Sequence, residues 1–221
     1  MDTYHKINTI YKRDPETKNK HLLFGEFSQP EFEYLQDNTW DFTEKVDGTN
    51  IRIQLDVEGK LSFGGKTDTA QIPATLVNVL RERFSVDRLV DKFPCVIYSP
   101  NPEDPDPVPV CLYGEGYGAK IQKGGGKYRP DQSFVLFDVK VGDWWLRRDD
   151  VADVANTLQI EHVPLIGQGT LWDMVDMCRN GFTSQWGNFD AEGIVARPTV
   201  EIQDRAGRRI ITKLKLKDFA R

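Results

Sequence analysis

The segment Thr43–Asn50, TEKVDGTN, constrains this 221-residue chain more than any other feature. It places Lys45 beside two carboxylates and a glycine, directly before the β-branched run Ile51-Arg52-Ile53. Such a lysine can act as a covalent nucleophile toward a nucleotide phosphate only without its proton, because the pKa of an ordinary lysine lies at about 10.4. Burial or a neighbouring cation lowers that pKa, so the pattern requires a cationic partner elsewhere. By itself the tetrapeptide KVDG is equally compatible with a surface turn that closes a hairpin.

A cationic partner is available near the C-terminus, in the segment Thr212–Lys217, TKLKLK. Alternation along a strand would point its three lysines to one face. Three cations on one face repel each other, so we expect an anion opposite them, either a triphosphate or a nucleic acid backbone. We predict that Lys213 and Lys215 also keep Lys45 deprotonated by like-charge repulsion.

The composition is that of a soluble globular protein, with 39% apolar and 29% charged residues. No apolar run approaches the roughly 20 residues that span a bilayer, and the N-terminus lacks a signal-peptide pattern. Cys95, Cys111 and Cys178 are odd in number and widely spaced. Structural zinc and a disulfide framework are therefore disfavoured, and we predict a cytoplasmic protein without membrane partners.

Basic residues are concentrated in two places, although the net charge is −5. Seven lie between Arg205 and Arg221, against the single acid Asp218. A second cluster surrounds Gly124–Gly126 and consists of Lys120, Lys123, Lys127 and Arg129. Local basic stripes on an acidic protein are typical of an enzyme that holds phosphates in a groove. For the glycine cluster, a solvated surface is the alternative interpretation.

Strands dominate the predicted secondary structure. They are expected at 49–57 and 60–64, as a hairpin turning at Glu58-Gly59, and at 108–114, 133–141, 193–196 and 209–217. Helices are expected at 71–84, 149–158 and 170–179. The proline-rich segment 99–107 is expected to form an extended acidic loop. Because helices and strands do not alternate strictly, the fold class is predicted as α+β with mainly antiparallel sheets.

Four further segments accompany the lysine motif in a fixed order. Tyr113–Gly116 places Glu115 between glycines at a strand end, and Phe134–Val139 places Phe137 directly before an acid. Asp190–Val195 repeats the acid–glycine–strand pattern, and the lysine strand follows about twenty residues later. Each segment is a weak signal alone, but the five together in this order are specific.

This order resembles the covalent nucleotidyltransferase superfamily, and within it the RNA ligases of the nick-sealing type. TEKVDGTN, YGEG, FVLFDV, AEGIV and TKLK are similar to five motifs of that family, over about Thr43 to Phe219. The resemblance implies an ATP-grasp-like adenylation domain with mainly antiparallel sheets around a nucleotide pocket. We expect residues 1–221 to form one such domain, monomeric and without a separate C-terminal or OB domain. A minimal ligase is the favoured interpretation, and a catalytic domain taken from a longer ligase is the alternative.

The resemblance also implies roles for individual residues around the nucleotide. Lys45 would be the nucleophile that becomes lysyl-AMP, and Glu44 would face the adenine amino group. Phe137 would stack on the base. Glu115 would bind the ribose hydroxyls.

The resemblance also implies residues that bind the phosphate, hold the metal and select the substrate. Glu192 would help to hold a divalent metal, Mg²⁺ or Mn²⁺, near the α-phosphate, which Lys213 and Lys215 would contact. Asn50 stands where DNA ligases and capping enzymes usually carry arginine, and this is similar to nick-sealing RNA ligases. Lys66 stands where relatives usually have arginine, so it keeps the charge but loses the bidentate fork.

The predicted activity is therefore ATP-dependent polynucleotide ligation, with nicked duplex RNA, DNA or hybrid as the partner. An RNA ligase that seals 3′-OH/5′-phosphate nicks through lysyl-AMP is favoured. A minimal DNA ligase with the same chemistry is the first alternative, and a capping guanylyltransferase is disfavoured by Asn50. From another class, a non-catalytic nucleic-acid-binding module remains an alternative, although such a module has no need to keep Lys45, Glu115 and Glu192 together.

Overall fold

The computed structural model describes residues 3–96 and 106–219, and the chain forms two compact units. The first consists of Met1–Tyr4 and Asp47–His162, and the second of His5–Val46 and Val163–Arg221. The chain therefore leaves the second unit inside the KVDG turn, between Val46 and Asp47.

Thirteen strands and five α-helices make up the described part of the chain. The strands are β1 (Asn8–Thr9), β2 (Tyr11–Arg13), β3 (Leu22–Phe27), β4 (Trp40–Glu44), β5 (Thr49–Leu55), β6 (Leu61–Gly64), β7 (Val110–Gly118), β8 (Gln132–Val141), β9 (Trp144–Trp145), β10 (Glu161–His162), β11 (Leu165–Gly169), β12 (Gly193–Pro198) and β13 (Thr212–Lys215). The helices are α1 (Pro30–Tyr34), α2 (Ala74–Arg83), α3 (Val86–Lys92), α4 (Arg148–Thr157) and α5 (Leu171–Asn180).

The first unit is built on a six-stranded sheet in the order β10-β8-β7-β5-β6, with β9 paired to β8. All pairs are antiparallel except β10 with β8. Helices α2, α3 and α4 supply apolar residues to the core of this unit, among them Leu80, Leu89 and Val154. These side chains pack on the apolar face of β5, β7 and β8 and bury it. An amphipathic helix is stable in a protein when its own apolar side is covered in this way.

The second unit is built on a five-stranded sheet in the order β1-β13-β12-β4-β11, beside the two-stranded sheet β2-β3. Only β1 pairs in parallel, with β13. Trp40 and Phe42 of β4 pack in a core with Leu171 and Met174 of α5 and with Phe32 of α1. Each unit thus has its own hydrophobic core.

The predicted α+β class with mainly antiparallel sheets is confirmed. The hairpin is formed by β5 and β6, and Gly59 in its turn has a φ of +77°, which glycine adopts without steric cost. The other predicted strands and helices are also present, with shifted ends. Residues 99–105 of the predicted acidic loop lie outside the described residues.

Two sequence-based boundaries were wrong and one helix was missed. Helix α2 begins at Ala74 instead of residue 71, because Pro73 disfavours helical geometry at the residue before it. Helix α3 was not predicted, although Ser85 caps it by accepting from the Arg88 N–H. Lys217 does not lie on the last strand, since β13 ends at Lys215 and the chain turns into a short 3₁₀-helix.

No helix in the described residues is long and apolar enough to span a membrane. The three cysteines are free, with Cys111 and Cys178 buried and Cys95 exposed. Burial raises the pKa of the Cys178 thiol to about 12. This thiol is therefore unreactive and packs in the core of the second unit.

Helix α5 starts with a capping box, and we predict that Thr170→Ala destabilises the protein by about 1 kcal/mol. The Thr170 hydroxyl accepts from the Asp173 N–H at 3.2 Å, and the Asp173 carboxylate accepts from the Thr170 N–H at 2.7 Å. Urea unfolding measures the loss. Thr69→Ala, an exposed threonine outside any helix, is the control and should change stability little.

Candidate active site

Lys45 follows the last residue of β4 and is held there by the backbone. Its N–H donates to the Gly193 carbonyl at 2.9 Å, which continues the pairing of β4 with β12. Gly193 cannot be replaced without movement, because a Cβ there would lie 2.1 Å from the Leu214 carbonyl oxygen of β13. The close approach of β12 and β13 therefore requires the glycine of the AEGIV segment.

The Glu192 carboxylate joins two lysines from different strands. One oxygen pairs with Lys45 Nζ at 2.5 Å, and the other pairs with Lys215 Nζ at 2.5 Å. The side chains of Lys45, Glu192 and Lys215 are 20%, 12% and 22% exposed, so the cluster is largely but not fully withdrawn from water. Charge-assisted hydrogen bonds of this kind are stronger than neutral ones.

This arrangement adds a shared anionic partner that the sequence analysis did not predict, and like-charge repulsion between Lys215 and Lys45 stays a prediction. A carboxylate lies between the two ammonium groups and pairs with both, so in this state each lysine has an anionic partner. Lys213 lies two residues before Lys215 on β13 and therefore on the same face, whereas Thr212 and Leu214 are buried on the other. The basic face of this strand thus consists of two lysines instead of three.

Glu44 is the most buried acid of the TEKVDGTN segment, with 1% of its surface exposed. Its carboxylate accepts from the Ser184 hydroxyl at 2.5 Å and from the Gln185 N–H at 2.8 Å. Burial raises the pKa of Glu44, and these two hydrogen bonds oppose the rise. The carboxylate thus anchors the loop before AEGIV. Its contact with an adenine amino group stays a prediction.

In the first unit, the Asp47–Asn50 part of the lysine motif lies beside the YGEG segment. Asn50 of β5 is directly opposite Glu115 of β7 in the antiparallel register. A Cβ on Gly48 would lie 2.2 Å from the Gly116 carbonyl oxygen, so the glycine of KVDG is required for this packing. Asn50 Oδ1 is buried without a hydrogen-bond partner among the described residues. A buried polar atom of this kind calls for a ligand or water.

Phe137 lies in a β-bulge. Tyr113 of β7 pairs with Asp138 and the next residue, Gly114, pairs with Leu136, so Phe137 is the extra residue of β8. It is partly exposed, and its ring contacts that of Tyr4 edge-on with centroids 5.0 Å apart. Tyr4 is fixed in turn by donating to the Asp138 carboxylate at 2.8 Å. The bulge gives the ring an orientation that regular alternation would not.

Lys66 is exposed and follows β6. The segment that carries it is held by Arg52, whose fully buried guanidinium donates to the Gly65 carbonyl at 2.7 Å and to the Asp68 carboxylate at 2.9 Å. Arg52 therefore fixes the backbone on both sides of Lys66. The predicted role of Lys66 in nucleotide binding stays a prediction.

A divalent metal has few protein ligands available here. Among residues 3–96 and 106–219, no three His, Cys, Asp or Glu side chains are grouped so that they could hold a metal ion. Glu192 could contribute a carboxylate, which pairs with Lys45 and Lys215 in this structure. Magnesium commonly binds through one or two carboxylates together with substrate phosphates and water, so Glu192 fits a metal that arrives with a nucleotide.

The amino-acid sequence of the chain matches a known protein family. The sequence model of the RNA ligase family matches residues 38–215. The chain belongs to the RNA ligase family. The match spans both units and includes Lys45, Glu115, Phe137, Glu192 and Lys215. No curated protein sequence matches this member of the family.

Solved structures of Naegleria gruberi RNA ligase have a similar fold. One point mutant of that enzyme, solved with ATP and Mn, is 15% identical with a TM-score of 0.67, covering 97% of this chain and 56% of that one. A second point mutant, in the apo form, is 18% identical with a TM-score of 0.64, covering 86% of this chain and 52% of that one. This RNA ligase chain thus spans about half the length of those proteins. At these identities, the likeness shows the fold.

Three positions in the site were missed by reasoning from the sequence. Ser184 and Gln185 bind Glu44, and Arg52 holds the Lys66 segment. No local motif marks the first two, because the contacts join residues 140 and 141 positions apart. Arg52 did carry a signal: a charged residue inside the apolar run of β5 must find a partner if it is buried.

The raised pKa of Glu44 generates a stability prediction. A carboxyl that is harder to ionise in the folded state opposes folding once the unfolded carboxyl is ionised, so its cost grows as pH rises from the unfolded toward the folded pKa. We predict that Glu44→Gln is more stable relative to the wild type at pH 7 than at pH 4, since glutamine has no charge to bury. Its Oε1 can accept from the Gln185 N–H, and its Nε2 can donate to the Ser184 hydroxyl oxygen. Urea unfolding at the two pH values measures this, and a difference independent of pH would contradict it.

Proposed function

We propose that this chain is an ATP-dependent RNA ligase that seals 3′-OH/5′-phosphate nicks through a lysyl-AMP intermediate. The observation that supports it most directly is the position of Lys45, at the end of β4 with Nζ paired to Glu192 and, through that carboxylate, to Lys215. A surface turn would leave the lysine in water. Here it is held in a cluster of opposite charges within a chain of the RNA ligase family.

In the proposed first step, Lys45 Nζ attacks the α-phosphorus of ATP. A P–N bond forms, the bond from the α-phosphorus to the bridging oxygen breaks, and pyrophosphate leaves with the electron pair. Attack requires Lys45 to leave its ion pair and lose a proton, since an ammonium group has no lone pair. The Lys215 ammonium and that of Lys213 then neutralise charge on the α-phosphate.

The second and third steps transfer AMP and join the strands. A 5′-phosphate oxygen attacks the lysyl-AMP phosphorus, the P–N bond breaks, and Lys45 regains its proton. The adjacent 3′-OH then attacks the 5′-phosphate, so the phosphodiester bond forms and AMP leaves. Each step is an in-line displacement at phosphorus, and the protein contributes positioning and charge neutralisation.

The remaining residues are proposed to hold the nucleotide. Glu115 would bind the ribose hydroxyls and Phe137 would stack on the base, while Asn50 offers a buried oxygen that lacks a partner among the described residues. Glu44 and Lys66 complete the proposed set. A magnesium or manganese ion near Glu192 would supply Lewis-acid neutralisation of phosphate charge. The solved Naegleria gruberi ligase with ATP and Mn supports ATP and a divalent metal as cofactors.

The direct test is adenylation of the protein. Incubation with ATP and magnesium should add one adenylate at Lys45, detected by mass spectrometry of the intact protein and its peptides. Lys45→Ala should abolish the adduct because it removes the nucleophile, whereas Lys12→Ala, an exposed lysine with a surface ion pair, should not. An undiminished adduct on Lys45→Ala would refute the assignment, and efficient labelling by GTP alone would indicate a capping enzyme.

Glu192→Gln should slow adenylation by on the order of a hundredfold, with partial recovery at raised magnesium. The substitution removes the charge that pairs with both lysines and weakens any metal contact at this position. Single-turnover adenylation across a magnesium titration measures both effects. Glu26→Gln, which alters an exposed surface pair, is the matched control. Slowing that magnesium does not relieve would leave Glu192 with only its lysine contacts.

Strand preference is tested by sealing labelled nicked duplexes in each combination of RNA and DNA strands. A ligase for RNA should require ribose on the 3′-OH side of the nick, at low salt and with ATP. Equal sealing of all-DNA nicks would favour the DNA ligase alternative. Normal adenylation without sealing of any nick would contradict a ligase that acts through this chain alone.

A further inference from the structure

The loop between β7 and β8, residues 119–131, is fixed to the KVDG turn. Gln122 Nε2 donates to the Gly48 carbonyl at 2.8 Å, and the Tyr128 hydroxyl accepts from the Asp47 N–H at 3.2 Å. Asp47 and Gly48 follow Lys45 in the chain by two and three residues. The loop therefore has a defined position relative to this turn, although most of its side chains face solvent.

Three lysines of this loop are exposed: Lys120, Lys123 and Lys127. Among the residues described, none of the ion pairs involves them. Arg129, which the sequence grouped with them, is different, because it pairs with Asp131 at 2.6 Å and with Glu161 at 3.3 Å. The loop thus carries three positive charges that no neighbouring carboxylate of the described residues neutralises.

The glycines of the loop divide into two kinds. Gly125 is required by the fold, because a Cβ there would lie 1.9 Å from the Gly118 carbonyl oxygen. Gly124 and Gly126 have open space where a Cβ would stand, and neither has left-handed backbone. Packing therefore does not explain these two glycines. Because they have no side chains, they leave the backbone between Lys123 and Lys127 accessible, and a ligand can approach it closely.

Lys120 has a left-handed backbone, with φ of +67°. Glycine adopts this conformation without cost, whereas a lysine is strained there. Lys120 thus stands at a position where the backbone favours glycine, so replacing it by glycine removes the charge without adding strain.

We propose that this loop binds the phosphodiester backbone of the polynucleotide substrate, through Lys120, Lys123, Lys127 and the bare backbone at Gly124 and Gly126. The inference rests on the proposed ligase function. A triphosphate is normally enclosed by converging groups in a concave site. Exposed lysines spread along the loop instead match the repeated phosphates of a strand, where lysines position the nucleic acid and carry no base specificity.

The test is the salt dependence of binding to a fluorescent nicked duplex, measured by anisotropy without ATP. Each lysine that neutralises a phosphate contributes about one unit to the slope of log K against log salt. Lys120→Gly should lower the slope by about one unit, and the triple change of Lys120, Lys123 and Lys127 to Gly, Gln and Gln by about three units. Lys120→Gly also removes backbone strain, so a folding defect cannot cause the loss.

The matched control is Lys18→Gly. Lys18 is likewise an exposed lysine with left-handed backbone, φ +54°, in the turn between β2 and β3 of the other unit. This variant removes the same charge and relieves the same strain, but it should keep the wild-type slope. Equal slopes for Lys120→Gly and Lys18→Gly, or no change in the triple variant, would overturn the proposal.

Adenylation by ATP separates this proposal from the ligase function itself. The triple variant should form lysyl-AMP at the wild-type rate, because the loop is assigned to the polynucleotide. Slowed adenylation with unchanged duplex binding would place the loop on the triphosphate and would overturn the inference. Absence of any Lys45 adduct in the wild-type protein would instead contradict the proposed function, whatever the loop variants bind.

Discussion

The pairing of β12 with both β4 and β13 is the constraint on which the charged cluster depends. Lys45 follows β4, Glu192 precedes β12, and Lys215 ends β13. Lys45 and Glu192 are separated by 147 residues, yet the register of adjacent strands brings their side chains into an ion pair. Gly193 is what permits this, since any Cβ would collide with the neighbouring strand. The chemistry of the cluster therefore follows from strand register.

The charge balance of this cluster also determines what must change before Lys45 can react. A single carboxylate pairs with both lysines, and breaking such a pair leaves a partly buried charge in a less favourable environment. In the proposed reaction, an incoming triphosphate would bring negative charge to the same place. Lys45 and Lys215 could then exchange Glu192 for the triphosphate as their anionic partner. Without a nucleotide, the ion pairs with Glu192 stabilise the cluster.

A second set of contacts fixes the residues of the other unit. Gly48 and Gly116 pack backbone against backbone, so Asp47–Asn50 and YGEG have one relative position beside the β5–β7 pair. The bulge orients the ring of Phe137, and the buried Arg52 holds the chain on both sides of Lys66. Here the glycines act through close packing, and the polar groups act through hydrogen bonds to backbone carbonyls. Both kinds of contact are rigid, as a binding site requires.

The sequence by itself determined the family, the α+β class, and most of the helices and strands, and it grouped Lys45, Glu192 and Lys215, which the structure joins in one ion-pair cluster. These follow from local patterns: alternation, capping residues, glycines at strand ends and the order of short motifs. The tertiary structure alone decided the partners. It placed Glu192 between two lysines, turned the Glu44 carboxylate toward Ser184 and Gln185, and ended β13 before Lys217. The reason is physical, because hydrogen bonds and ion pairs between distant segments depend on strand register and loop geometry, which no local pattern encodes.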